Sequence, residues 1–162
     1  MPSRFWYSGD KVSPEFQNRL GIAIGQRTYK AYRDLLASER WKKLAAAGAH
    51  PQRLLWASTG TKDPKAPETL YVEALAAPDT VDTMPEKTLK AFAKDGRVGR
   101  PMALDGGDAE QTLAELRRQG VDIDALALKL QKDGGDAFVK SWSSLIGGLG
   151  EKVTRLTAIS PS

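Results

Sequence analysis

The run Leu54-Leu55-Trp56-Ala57 constrains the fold more than any other feature of this chain. It is continuously apolar, too short for a helix, and stops at the polar stretch Ser58-Thr59-Gly60-Thr61-Lys62. Such a run between helical segments reads as a buried strand of a parallel sheet, its C-terminal end opening into a loop. Thr80-Val81-Asp82-Thr83-Met84, stopped by Pro85, is a second short strand candidate. Pro85 also suits the first turn of a helix over 86–94, which Gly96 ends.

Helical periodicity fills most of the remainder. Ser13 as N-cap and Pro14 in the first turn open a helix to about Ala37, with Phe16, Leu20, Ala23, Ile24, Ala31 and Leu35 on its apolar face. Gly21 and Gly25 on one side of it suit close packing. Ser38 caps a second helix that ends at Gly48. The period leaves 70–75 open between helix and strand. Asp108 caps a helix to Gln119, with Leu113 and Leu116 inside. Asp122 and Asp124 start another helix, which Gly134-Gly135 break or bend. Residues 137–149 continue it with Phe138, Trp142, Leu145 and Ile146 inside, and the tail from Thr154 frays. Helices alternating with short buried strands imply an α/β chain built from β/α units on a parallel sheet. Two or three such strands cannot close a barrel, which needs eight.

Composition narrows the chemistry. A length of 162 residues with 41% apolar side chains fits one globular domain. The absence of cysteine excludes disulfides, thiolate metal sites and a cysteine nucleophile, and a single histidine argues against a metal centre or a catalytic triad. No cofactor and no metal are expected. The N-terminus lacks an apolar signal core and no window is apolar enough to span a bilayer, so the expectation is a cytoplasmic chain with no membrane partner. Residues 1–62 carry 11 basic and 4 acidic side chains, and the rest carry 13 and 16. The basic residues are scattered over helical turns without a nucleic-acid-binding signature, so they read as a solvated helix face and no nucleic-acid partner is expected.

Chemistry is best placed at Ser58-Thr59-Gly60-Thr61-Lys62. Three hydroxyls, a glycine that exposes backbone N–H groups and one ammonium suit a phosphate, although the nucleotide-binding P-loop pattern is absent. The alternative is a polar turn after a strand. Asp82 reads either as an acid or base facing a barrel interior or as an edge position open to water. His50 reads as a surface residue, and Lys140 as a side chain whose stem lies between Phe138 and Trp142. Trp41, Trp56, Phe92 and Trp142 read as core.

These residues, taken together, resemble a known family. Arg40-Trp41, the run from Gly48-Ala49-His50-Pro51 through Trp56-Ala57-Ser58-Thr59-Gly60-Thr61-Lys62-Asp63-Pro64, Leu70-Tyr71-Val72-Glu73-Ala74-Leu75, Ala77-Pro78-Asp79-Thr80-Val81-Asp82-Thr83-Met84-Pro85 and Phe138-Val139-Lys140-Ser141-Trp142 are similar to the C-terminal part of the long bacterial form of transaldolase. Versions fused ahead of a phosphoglucose isomerase domain are especially similar. The resemblance runs over 14–153, leaving 1–13 as a divergent segment and 154–162 as a tail.

The resemblance implies a partial (β/α)₈ TIM barrel: about the last two or three β/α units plus C-terminal helices, helix-rich. It maps Leu54–Ala57 to the seventh strand, Thr80–Thr83 to the eighth and Phe5-Trp6-Tyr7-Ser8 to a remnant of the sixth. In the sixth, the family has an arginine after the serine and this chain does not. The family often has asparagine where Asp82 stands. By resemblance, such enzymes move a dihydroxyacetone unit between sugar phosphates in the pentose phosphate pathway, through a Schiff base on a lysine of an earlier strand. No residue here matches that lysine, Lys62, Lys65 and Lys140 included, so no catalytic residue is carried over. The resemblance assigns Ser58, Thr61 and Lys62 to a phosphate-binding loop, with Thr59 beside them. The expectation is a fragment lacking the catalytic lysine and inactive alone, its partners sugar phosphates and either a missing N-terminal barrel half or further copies of itself. The alternative is a non-enzymatic sugar-phosphate-binding or partner-completed half-barrel.

Overall fold

The structure is a computed structural model describing residues 12–159, so the strand remnant expected at Phe5-Trp6-Tyr7-Ser8 lies outside the described residues. Pro14–Phe16 form one 3-10 turn instead of opening the long helix. Asn18 then adopts a left-handed backbone at φ 63°, which asparagine tolerates better than most residues, and its Nδ2 donates to Asp63 Oδ2 at 2.8 Å. Only after it does α1 (Arg19–Ala37) begin. Ser38 caps α2 (Glu39–Ala46) as expected, its Oγ accepting from the Trp41 N–H at 3.2 Å.

The two apolar runs become β1 (Leu54–Ala57) and β2 (Thr80–Thr83), adjacent and parallel, in the register Leu54 to Thr80 and Trp56 to Asp82. The ambiguous segment between them is a short helix, α3 (Leu70–Ala74). The chain continues with α4 (Glu86–Asp95), α5 (Ala109–Arg118) and α6 (Ile123–Ile159). The described residues form a helix-rich α/β arrangement with two parallel strands. It divides into two compact units, one up to Gly120 and one from Val121.

In the first unit Leu54 and Trp56 pack on a buried cluster of Tyr29, Tyr32, Leu75 and Met102. Strand alternation sends Leu55 and Ala57 to the other face, where both are exposed, Leu55 by 53%. The expectation of a fully buried strand is therefore corrected: among the described residues, helices cover one side of this sheet only. Gly25 supplies the close approach read from its spacing, because a Cβ there would collide with Cδ2 of Leu75. Helices α1 and α5 pack together, with Leu113 and Leu116 of α5 fully buried. At their rim Arg19 pairs with Asp108 at 2.5 Å and Arg27 holds both Glu110 oxygens at 2.6 Å. Asp108 thus makes no side-chain cap to α5, because Arg19 and Gln26 occupy its carboxylate. These links pair basic residues of the front of the chain with acidic residues of its rear. Being exposed and screened by water, these pairs contribute little to stability.

The second unit is α6, 37 residues long. Asp122 precedes it, its Oδ1 accepting from the Ala125 N–H at 2.9 Å. Gly134-Gly135 do not interrupt it, and the tail expected to fray from Thr154 is helical to Ile159. Phe138, Trp142, Leu145 and Ile146, expected inside, are all exposed, Phe138 by 80% and Trp142 by 65%. Their helical spacing reports a face suited to burial but does not supply a surface to bury it against. Among the described residues no helix is long and apolar enough to cross a membrane.

Candidate functional site

The stretch 58–62 leaves the C-terminal end of β1 through a residue with unusual backbone. Ser58 has φ 61°, the left-handed region that costs an L residue other than glycine about 1–2 kcal/mol. Thr59, next in sequence, turns inward and is 4% exposed. Its hydroxyl donates to Asp82 Oδ1 at 2.8 Å, with the Thr83 carbonyl farther off at 3.5 Å. Gly60 follows, buried so closely against the start of α4 that a Cβ would lie 3.1 Å from Cγ of Pro85. Thr61 donates from Oγ1 to the carbonyls of Pro67 and Glu68 at 2.8 and 3.2 Å, folding the following segment back on the loop. Asp63 fixes the far end, accepting from Asn18 Nδ2 on one oxygen and from the Lys65 N–H at 2.9 Å on the other.

The loop therefore meets the end of β2 beside Asp82, on the C-terminal side of the parallel pair, which is where β/α folds place their sites. Of the four residues singled out from sequence, Ser58 and Lys62 are exposed. Among the described residues, neither the Ser58 hydroxyl nor the Lys62 ammonium has a hydrogen bond or ion pair. Thr59 and Thr61 are brought to the same loop, but their hydroxyl protons are committed within the protein. His50 is exposed, as read, and Lys140 is exposed.

Asp82 answers to neither sequence reading. It is half-buried in mid-strand, in register with Trp56, and both line a cavity of about 360 Å³ together with Val72, Leu75, Thr80 and Phe92. It thus faces the helix layer, neither a barrel interior nor open water. Its Oδ2 is buried and, like Trp56 Nε1, has no hydrogen-bond partner among the described residues. Burial pushes the Asp82 carboxyl above the ordinary carboxylate range, and the Thr59 hydrogen bond opposes that shift without cancelling it. Sequence reasoning missed its link to Thr59, since the two are 23 positions apart and only the strand register joins them.

A pH dependence follows. Folding favours the protonated form of Asp82, so its contribution to stability is best below the unfolded carboxyl pKa of about 4 and is lost as pH rises toward the raised folded value. Asp82→Asn keeps an oxygen for Thr59 and removes the charge. In urea titrations from about pH 4 to 7 the variant is expected to gain stability relative to the parent as pH rises. A difference that is flat, or that shrinks with rising pH, would refute the assignment.

Among the described residues no cluster of three or more His, Asp or Glu side chains is arranged to hold a metal ion. The arrangement offers a chemically simple surface: one free hydroxyl, one free ammonium and the backbone of an anchored turn.

The sequence matches the transaldolase/fructose-6-phosphate aldolase family over residues 3–149. It is 46% identical over 138 residues to a transaldolase of Frankia alni, covering 85% of this chain and 37% of that protein. A transaldolase of a Parafrankia species is 43% identical over 146 residues, covering 90% and 40% respectively. One from an Arthrobacter species is 44% identical over 140 residues, covering 86% and 38%. The chain thus spans roughly two-fifths of the length of these relatives. With nine-tenths of its length matched, this chain belongs to the transaldolase/fructose-6-phosphate aldolase family.

Proposed function

We propose that this chain forms the C-terminal part of a transaldolase barrel, β1 and β2 standing as its last two strands, and that the 58–62 loop takes the phosphate of a sugar phosphate. The observation that carries the reading is the anchored loop at the C-terminal end of the parallel pair, with Ser58 and Lys62 exposed and uncommitted beside it. In this reading the Ser58 hydroxyl and Lys62 ammonium contact the phosphate, while Thr59 and Thr61 shape the turn. The reaction is transfer of a dihydroxyacetone unit in the pentose phosphate pathway, in the cytoplasm. Its Schiff-base lysine belongs to β/α units outside these residues.

Two features support completion by further β/α units. The uncovered sheet face carries Leu55, Ala57 and Thr83, all exposed. Among the described residues the two-stranded parallel sheet also has no backbone partner on either outer edge, and water-soluble folds ordinarily pair or cover such edges.

The test is a ¹H–¹⁵N titration of the 162-residue protein with inorganic phosphate and with fructose 6-phosphate. Saturable shifts are expected at the amides of 58–62. A charge-assisted hydrogen bond contributes about 1.5–3 kcal/mol, so Lys62→Gln is expected to weaken binding by roughly tenfold or more. Shifts confined to other regions, or an unchanged affinity in the variant, would overturn the reading.

A further inference from the structure

The 58–62 loop starts with a conformation that its own residue disfavours. Left-handed backbone at a serine is less populated than the right-handed regions by roughly five- to thirtyfold, yet Ser58 sits at φ 61°. Something outside the residue must hold it there. Thr59 is immediately C-terminal, 4% exposed, and joined through Oγ1 to Asp82 Oδ1 at 2.8 Å. The hydroxyl has one proton, and the Thr83 carbonyl at 3.5 Å is a poor competitor for it. Asp82 is itself fixed, in mid-strand, paired in register with Trp56. Nearby, the Thr83 hydroxyl donates to the Trp56 carbonyl at 3.3 Å, tying the ends of the two strands together.

We propose that Asp82 is a positioning residue for the 58–62 loop: by accepting from the Thr59 hydroxyl it holds Ser58 in its left-handed turn and so fixes where Ser58 and Lys62 stand at the end of the sheet. The consequence for ligand binding rests on the phosphate reading above; the conformational claim does not. Asp82 does not itself touch a ligand on the loop, because Oδ1 is occupied by Thr59 and Oδ2 is buried. It acts through Thr59.

Hydrogen exchange at 59–61 in the full chain reads the conformational claim, and the phosphate titration reads its consequence. Asp82→Ala is expected to speed exchange of these amides by tenfold or more, while the amides of α1 keep their protection. Asp82→Asn retains an acceptor oxygen and is expected to keep the wild-type rates. Thr59→Val deletes the donor with little change of shape, and it must loosen 59–61 like Asp82→Ala; it also serves if that variant does not fold. Ser58→Gly added to either loosened variant removes the cost of the left-handed turn and is expected to recover part of the protection. For a phosphate-binding wild type, affinity is expected to fall by at least threefold in the loosened variants and not in Asp82→Asn.

Unchanged exchange at 59–61 in Thr59→Val would overturn the clamp. Loosening by Asp82→Asn as large as that by Asp82→Ala would overturn it as well, since hydrogen-bond acceptance would then not be what matters. A wild type that fails to bind phosphate, with 59–61 loosened in Thr59→Val, supports the clamp and refutes the phosphate reading.

Discussion

The purified 162-residue chain, incubated with fructose 6-phosphate and reduced with borohydride, is expected to carry no donor fragment on any lysine. A Schiff-base mechanism needs an amine that is unprotonated when it meets the ketose carbonyl, ordinarily a lysine desolvated in a pocket beside an acid or base. Every described lysine of this chain is exposed, Lys62, Lys65 and Lys140 among them. None occupies such a pocket. The 58–62 loop alone cannot replace the covalent step, and loss of a positioned catalytic group typically removes factors of about 10² to 10⁴. Intact-mass measurement gives the result directly. A stable adduct on one specific lysine, located by digestion, would show that the chain holds a catalytic amine of its own.

Leu113→Ala is expected to destabilise the first unit by about 2–5 kcal/mol, a large share of the 5–15 kcal/mol that holds a typical domain. Leu113 is 0% exposed on α5, in a row with the buried Ala109, Thr112 and Leu116, on a helix that packs against α1. Removing its side chain deletes apolar contact and leaves a cavity that rigid helices close only in part. Glu110→Gln is the matched control on the same helix. It breaks an exposed, solvent-screened pair with Arg27 and is expected to leave the unfolding midpoint nearly unchanged. Urea unfolding followed by circular dichroism separates the two by their midpoints. A shift for Leu113→Ala no larger than that of the control would mean that α5 does not anchor this unit.

Parts of the site were legible before the structure. The switch from a continuous apolar run to a hydroxyl-rich stretch located both β1 and its loop, because strand burial and loop polarity are written in adjacent residues. The parallel pairing of β1 with β2 was not written in local pattern; it was expected because the family resemblance maps the two runs to successive strands. The inward turn of Thr59 was not legible. Three hydroxyl-bearing positions, Ser58, Thr59 and, past a glycine, Thr61, look alike in sequence; which one is buried depends on a carboxylate two elements away. Asp82 was ambiguous because a strand of Thr, Val, Asp and Thr has no apolar alternation to fix its faces.

What the sequence determined by itself is local: the caps at Ser38 and Asp122, the two strands, the inner row of α5 and the position of the polar loop. These follow from residue periodicity and backbone preference within a few positions. The tertiary structure decided what each face meets. It left Leu55 and the apolar stripe of α6 uncovered, turned Asp82 toward the helix layer, and paired Arg19 and Arg27 with acids more than 80 positions away. Hydrophobic periodicity states that a face gains by burial, but burial is a contact between segments distant in sequence. Its partner is fixed only when folding, or another chain, brings one near.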